Sequence, residues 1–223
     1  GLAKEIEAQG QKPEVRVIVI RAEGRGFCAG NDLRYQAEGG VRHATPKGFA
    51  GVTSRWNMAK PIIAAVNGVA MGGGFEIALA CDLIIASDQA KFALPEPKVG
   101  LAALAGGLQR LSRQIGSKRA LGMILTGRHV SAAEGHELGF INEVVPHDEL
   151  MERTMVWVNQ ILACSPLSLR ASKDVVYRSL DTASLRESME ADYETVKQLV
   201  KSDDFIEGPK AFAEKRPPNW SGH

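Results

Sequence analysis

The sequence predicts an α/β core followed by a helical extension. Three observations predict it. Val15–Ile20 and Ile62–Val66 are short apolar runs rich in β-branched residues, the pattern of strands buried on both faces. Glycine-rich breaks follow each run, and a short apolar helix follows the second. From Asp148 onward, helical spacing and caps replace strand patterns, so interleaved strands and helices give way to helices alone.

Taken in order, Leu2 and Ile6 lie one helical turn apart and Gly10 ends the pattern, the tail of a helix whose beginning is missing. Val15–Ile20 is the first strand, and Ala22–Asp32 a glycine-rich turn. The polar stretch Gly39–Gly51 contains Pro46 and reads as a mobile loop. Ile62–Val66 is a second strand, Gly72-Gly73-Gly74 breaks the chain, and Phe75–Cys81 is a short buried helix. Leu83–Ala86 is a third strand, and Lys91–Ala93 allows a fourth. Gly106–Leu111 and Ser117–Leu125 are helical. Ser131 and Glu134 form a capping box for Ala132–Leu138, with Gly139 as the stop. Phe140–Val145 is a strand closed by Pro146.

The remainder is helical: Asp148–Ala163, a helix opened by Ser165-Pro166 as N-cap and first residue, a helix carrying Leu185, Met189, Tyr193 and Val196, and a last short one over Gly208–Lys215. The expected division is a core over 1–145 and a helical region over 146–223. Internal repeats and low-complexity segments are not evident.

Composition narrows the function classes. The 223 residues hold 27 Lys and Arg against 26 Asp and Glu, a formal charge of +1. Such a chain has no global electrostatic reason to bind nucleic acid or an anionic membrane. The most apolar stretch, Ile62–Ala86, is interrupted by Asn67, Glu76 and Asp82, unlike a membrane span. Cys28, Cys81 and Cys164 are widely spaced and form no metal motif, so neither zinc nor a disulfide framework is expected, and a reducing, cytoplasmic setting fits. The opening Gly-Leu-Ala-Lys-Glu is not a signal peptide, and there is no initiator Met.

Among the motifs, Gly24-Arg-Gly26-Phe-Cys-Ala29 matches the loose dinucleotide pattern. The helix, second strand and distant acid of a nucleotide-binding unit do not follow, so NAD is rejected. Phosphate-loop and nucleophile-elbow motifs are absent. The Gly72–Gly74 run either suits a crowded strand-to-helix turn or leaves backbone N–H groups uncovered at a helix N-terminus, where they can stabilise an oxyanion. Glu76 favours the second reading. It follows at once in an apolar stretch, where desolvation raises a carboxyl pKa and equips it for proton transfer. Glu96 lies between Pro95 and Pro97, which restrict its backbone and suit a positioned side chain. Asp82 is expected to cap structure or pair with a basic residue. His129, His136 and His147 read as surface or capping groups, Trp56, Trp157 and Trp220 as packing residues, and Asp203-Asp204 as a solvated turn.

With these residues in view, the chain resembles the crotonase superfamily, the enoyl-CoA hydratase/isomerase family. The likeness runs from about Val15 to about Trp220. It rests on Gly26-Phe-Cys-Ala-Gly-Asn-Asp-Leu33, Lys60-Pro-Ile-Ile-Ala-Ala-Val-Asn-Gly68, Gly72-Gly-Gly-Phe-Glu-Ile-Ala-Leu-Ala-Cys-Asp-Leu83, Phe92-Ala-Leu-Pro-Glu-Pro-Lys-Val-Gly100, Leu125-Thr-Gly-Arg128 and Ala211-Phe-Ala-Glu-Lys-Arg-Pro217. The resemblance implies a spiral of ββα turns with a C-terminal helical trimerisation region, and a homotrimer or hexamer. It implies acyl-CoA thioester substrates, with coenzyme A as part of the substrate and no separate cofactor or metal. It also implies an oxyanion hole from the backbone of Asn31 and Gly73, and catalytic carboxylates at Glu76 and Glu96. Phe27, Ala29, Asp32, Leu33 and Arg34 would line the CoA, with Arg34 near its phosphates.

The activity implied is hydration of an enoyl-CoA, with carnitinyl-CoA dehydration, double-bond isomerisation or hydrolysis as alternatives on the same scaffold. A non-catalytic RNA-binding or scaffolding protein is the reading from another class. Departures bear on the substrate. Where family hydratases commonly have Ile-Pro-Gly-Ala-Gly-Gly, this chain has Ala102-Ala-Leu-Ala-Gly-Gly107, so Leu104 replaces a glycine near the acyl pocket. Phe75 stands where a small residue or Cys is frequent. Both point to a branched, aromatic or carnitinyl-type acyl group. The family carries roughly 30–40 residues ahead of this chain's first residue, too many for a flexible tail. Either the sequence is incomplete there, or the CoA-binding wall those residues supply is built differently.

Overall fold

The structure is a computed structural model that describes residues 1–40 and 45–223. The chain forms two compact units: Gly1–Asn57 with Ile62–Met155, and Met58–Pro61 with Val156–His223.

The first unit opens with α1 (Leu2–Gln11), then β1 (Ile18–Arg21), β2 (Gly26–Cys28) and α2 (Leu33–Ala37). A second round follows with β3 (Ile62–Val66), β4 (Val69–Met71) and α3 (Gly73–Ala80). A third has β5 (Leu83–Ser87), β6 (Lys91–Ala93), a 3-10 turn at Glu96–Val99 and α4 (Gly107–Ile115). Then come α5 (Ser117–Thr126), β7 (Val130–Ser131), α6 (Ala132–Leu138), β8 (Glu143–Val145) and α7 (Leu150–Leu162), whose last residues belong to the second unit. From β1 to β6, successive strands alternate between two sheets. One sheet has the order β1-β3-β5-β8, the other β2-β4-β6-β7. All neighbours are parallel except β6 and β7. This is the ββα spiral that the resemblance implies.

Burial explains the strand choices. All five residues of β3 are at most 3% exposed, because β1 and β5 flank it and both faces are covered. Two ββ corners are tied together: Asn67 Nδ2 donates to Gly24 O at 2.8 Å, and a Cβ at Gly68 would lie 2.2 Å from Arg25 O. Asp82 Oδ2 accepts the N–H of Ile62 at 2.7 Å, the capping role expected of it. Phe75 of α3, Phe92 of β6 and Phe140 ahead of β8 form a triangle with ring centroids 5.1–5.4 Å apart at the centre of this core.

Several boundaries differ from the expectations. The first strand begins at Ile18 rather than Val15. Its partner β3 starts opposite it at Ile62, right after Pro61, which has no N–H to extend the ladder. The turn over Ala22–Asp32 contains β2, and β4 was not anticipated, since three-residue strands carry too little pattern to read. Within the expected mobile loop Gly39–Gly51, residues 41–44 lie outside the described residues, Thr45 bridges to Gly48, and Phe49–Gly51 forms a 3-10 turn. The Ser131 cap and the left-handed Gly139 stop of α6 are as expected, while the Glu134 carboxylate turns to Arg128 at 2.6 Å.

The second unit contains α8 (Pro166–Ser179), α9 (Leu185–Glu190), α10 (Glu194–Val200) and α11 (Asp203–Ala213). Ser165 caps α8 with Pro166 at its first position, as the sequence indicates. The spacing of Leu185, Met189, Tyr193 and Val196 predicts one helix, but two form. Ala191 and Tyr193 are extended, and the Tyr193 hydroxyl donates to Ser188 O at 3.0 Å, the acceptor a continuous helix would use for Asp192. Leu185 and Met189 are exposed. Likewise α11 begins at Asp203, capped by Ser202, so Pro209 sits inside it rather than at its start.

Asp203-Asp204 is therefore no solvated turn. Asp204 is 3% exposed and accepts bonds from Ser165 Oγ at 2.7 Å, Ser221 N at 2.8 Å, Ser221 Oγ at 3.2 Å and Gly222 N at 3.1 Å. Burial alone would push this carboxyl up, but the bonds prevail and hold it below the ordinary Asp value. The folded state then binds fewer protons than the unfolded state. Asp204 contributes stability above the ordinary Asp range, and that stability is lost as pH falls through the depressed value. Asp204→Ala is expected to cost about 2–3 kcal/mol at pH 7 by leaving buried donors unmet. In urea melts the gap to wild type should narrow toward pH 3. Equal gaps at both pH values would contradict this role.

Candidate functional site

A cavity of about 740 Å³ lies in the first unit, within the size range of small-molecule sites. The loop Ala29–Asn31 after β2, the glycines at the start of α3, Glu76, Glu96 and the turn around Leu104 all line it.

The oxyanion candidates meet at the junction of β4 and α3. Gly73 is the first residue of α3, where an N–H has no carbonyl one turn back to accept it. Gly30 adopts φ +91°, and a Cβ there would lie 3.1 Å from Gly73 N and 3.0 Å from Met71 O. The loop bearing Asn31 thus runs against the helix start, and both Asn31 and Gly73 line the cavity. The three glycines have three separate reasons. A Cβ at Gly72 would meet Glu96 Oε1 at 2.8 Å, one at Gly73 the Phe49 ring at 2.6 Å, and one at Gly74 the backbone oxygen of Cys28 at 1.9 Å.

Glu76 sits on α3 and is 4% exposed. Its Oε1 accepts the N–H of Gly107, the first residue of α4, at 2.9 Å. A side chain at Gly107 would lie 3.0 Å from this carboxylate, which explains the glycine at the start of α4, and Gly106 before it caps the helix at φ 100°. Burial pushes the Glu76 carboxyl up, the Gly107 N–H opposes the rise, and negative charge on Glu96 adds to it. The 3-10 turn holds Glu96 rigidly: its carbonyl accepts the Leu101 N–H at 3.0 Å, and Gly100 closes the turn at φ 72°. Its side chain lies over Gly72. Two carboxylates that feel each other's charge thus face one cavity beside a helix N-terminus. Such a set can move protons at a carbonyl compound whose oxygen is held by backbone N–H groups.

The structure brings together Glu76, Glu96, Asn31, Gly73, Ala29, Leu33 and Leu104 around the cavity. Phe27, Asp32, Arg34 and Phe75 do not line it. Asp32 caps α2, accepting the N–H groups of Arg34 and Tyr35 at 2.9 and 3.1 Å. Arg34 is exposed. Phe75 is fully buried in the aromatic triangle, because its position on α3 points it into the core. Leu104 is 71% exposed at the rim. Trp56, expected to pack, is 78% exposed under the guanidinium of Arg110, 5.5 Å from its ring. Sequence reasoning missed Phe49, Thr53 and Gly107. The Gly106-Gly107 pair was the one signal that pointed near them.

Among the described residues, no cluster of three or more His, Cys, Asp or Glu is placed to hold a metal ion. No helix among them is long and apolar enough to cross a membrane.

Known proteins resemble this chain in sequence and in fold. A carnitinyl-CoA dehydratase of Proteus mirabilis (strain HI4320) is 42% identical over 217 residues, 94% of this chain and 83% of that protein. A crystal structure of an enoyl-CoA hydratase from Mycobacterium marinum superposes with a TM-score of 0.92 at 36% identity, covering 100% of this chain and 87% of that one. Another, from Mycobacterium tuberculosis H37Rv, gives 0.91 at 35% identity with the same coverage. The family model described as enoyl-CoA hydratase/isomerase matches residues 2–223, and the chain belongs to that family.

Proposed function

We propose that the chain adds water reversibly across the 2,3 double bond of an enoyl-CoA thioester. The observation that carries this reading is the convergence of Glu76 and Glu96 on one cavity beside Gly73 at the start of α3. In this reading the backbone N–H groups of Asn31 and Gly73 hold the thioester oxygen and stabilise enolate character at the transition state. Glu76 and Glu96 hold the water that adds at Cβ, and Glu96 exchanges the proton at Cα. Burial, and after it the negative charge of Glu96, raises the Glu76 carboxyl, which suits a pair made of one acid and one base. A pair of acids favours hydration over isomerisation, where one often suffices. Ala29 and Leu33 would contact the CoA at the cavity wall, with Arg34 outside it.

The test is loss of the conjugated-thioester absorbance on crotonyl-CoA and a panel of longer, branched and aromatic enoyl-CoAs. Turnover on any member supports the reading. Detectable thioester binding with no turnover on all members would contradict it.

The identity to carnitinyl-CoA dehydratases favours a second reading, the same chemistry on a carnitinyl thioester. The Leu104 departure at the cavity rim is compatible with it. A carnitinyl-CoA substrate, whose loss of water would be read as a gain of the same absorbance, separates the two. The chain is further proposed to act as a homotrimer or hexamer, since α11 exposes Phe205, Ile206 and Phe212. A reducing, cytoplasmic setting suits Cys28, Cys81 and Cys164, all thiols.

A further inference from the structure

We propose that Arg110 is a positioning residue that ties the Phe49–Thr53 wall of the cavity to the N-terminus of α4, and so holds the Gly73 and Glu76 halves of the site in register. The inference rests on the reading of those two halves given above.

Four links make the brace. Arg110 lies three residues after Gly107 on α4, and Gly107 N–H is the donor to Glu76 Oε1 at 2.9 Å. Arg110 Nη2 donates to Thr53 O at 2.8 Å. Thr53, 1% exposed, accepts the N–H of Phe49 through its Oγ1 at 2.8 Å. The Phe49 ring rests on Gly73, where a Cβ would meet it at 2.6 Å. A single side chain therefore connects the helix that orients the carboxylate with the wall that covers the oxyanion candidate. The wall needs holding. Ala50 is a non-glycine residue at φ 52°, a left-handed conformation that persists where neighbours over-determine it. Arg55 Nε adds a second tie to Gly51 O at 3.0 Å. The Arg110 guanidinium also opposes the rise of the Glu76 carboxyl that burial and Glu96 cause.

The test compares wild type, Arg110→Met and Arg110→Lys in the full chain. The first readout needs no activity: amide hydrogen exchange at Phe49 and Gly107, with the amides of β3 as internal control. In Arg110→Met both site amides should exchange faster while β3 stays protected, and Arg110→Lys should restore protection in part through one bond to Thr53 O. The second readout is kinetic. Arg110→Met should lower kcat about 10–100-fold, the scale of a small misplacement of reacting groups, with KM changed less than about threefold. Unchanged exchange at Phe49 and Gly107 overturns the proposal. So does faster exchange with kcat intact in an active enzyme, or a KM increase at constant kcat, which would assign Arg110 to substrate binding. If wild type turns over no thioester, the proposed function fails, and the exchange data alone decide the brace.

Discussion

Glu96→Gln is expected to lower kcat for hydration about 10²–10⁴-fold, the range for a lost general acid or base, while the acyl-CoA thioester still binds. The substitution keeps the shape of a side chain that lies over Gly72 on a rigid 3-10 turn, so the cavity should survive it. It removes the ability to exchange a proton at Cα. Glu76→Gln should cost a similar factor, and the double variant little more than either single one, because in the proposed mechanism both groups act on one water.

Stability should move the other way for Glu76. Its carboxyl is raised in the folded state by burial, so the folded state holds the proton more tightly than the unfolded state does. The stability it contributes is present below the ordinary Glu value and lost as pH rises through the raised value. Glu76→Gln should therefore melt higher than wild type at neutral pH, with the gap closing toward pH 4. Scanning calorimetry at the two pH values reads this directly. An activity within about threefold of wild type for Glu96→Gln would remove Glu96 from the chemistry.

Gly74→Ala is expected to destabilise the chain by at least about 2–3 kcal/mol, the cost of forcing atoms into a filled core. The added Cβ would lie 1.9 Å from the carbonyl oxygen of Cys28 and 2.8 Å from its Cβ. The obstacle is backbone of a neighbouring strand, not the movable end of a side chain. Relief would require α3 to back away from β2, carrying Gly73 and Glu76 with it. Gly122, whose Cβ would meet nothing within 4 Å, is the control, and Gly122→Ala should be tolerated or mildly stabilising. A Gly74→Ala variant with wild-type urea midpoint would show that this crossing of β2 and α3 is looser than described.

How much was legible in the sequence depended on what each residue had to satisfy locally. Ile62–Val66 could be read to the residue, because a strand covered on both faces must be apolar throughout. The Ser165-Pro166 and Ser131 helix starts were equally plain, since a cap is a local bond. Glu76 stood out as a charge inside an apolar helix, and Glu96 as an acid between two prolines. Strands β2 and β4 did not stand out, since three residues carry no periodicity. Phe75 was misplaced in the acyl pocket, because its direction depends on how α3 rotates against Phe92 and Phe140, far apart in sequence. Asp204 read as a surface acid for the same reason. Its partners Ser165, Ser221 and Gly222 arrive from distant segments. Thr53 and Arg110 carried no local signal, because their bond joins residues 57 positions apart.

The most direct test of the central claim, addition of water by the Glu76–Glu96 pair, is to run the enoyl-CoA reaction in ¹⁸O-labelled D₂O and analyse the product by mass spectrometry and NMR. Hydration predicts one ¹⁸O at Cβ and one deuterium at Cα in wild type, with both signals suppressed together in Glu96→Gln. Deuterium in the acyl chain without ¹⁸O would mean isomerisation with no water added. Label at the thioester carbonyl carbon would mean hydrolysis. Either result would contradict the account.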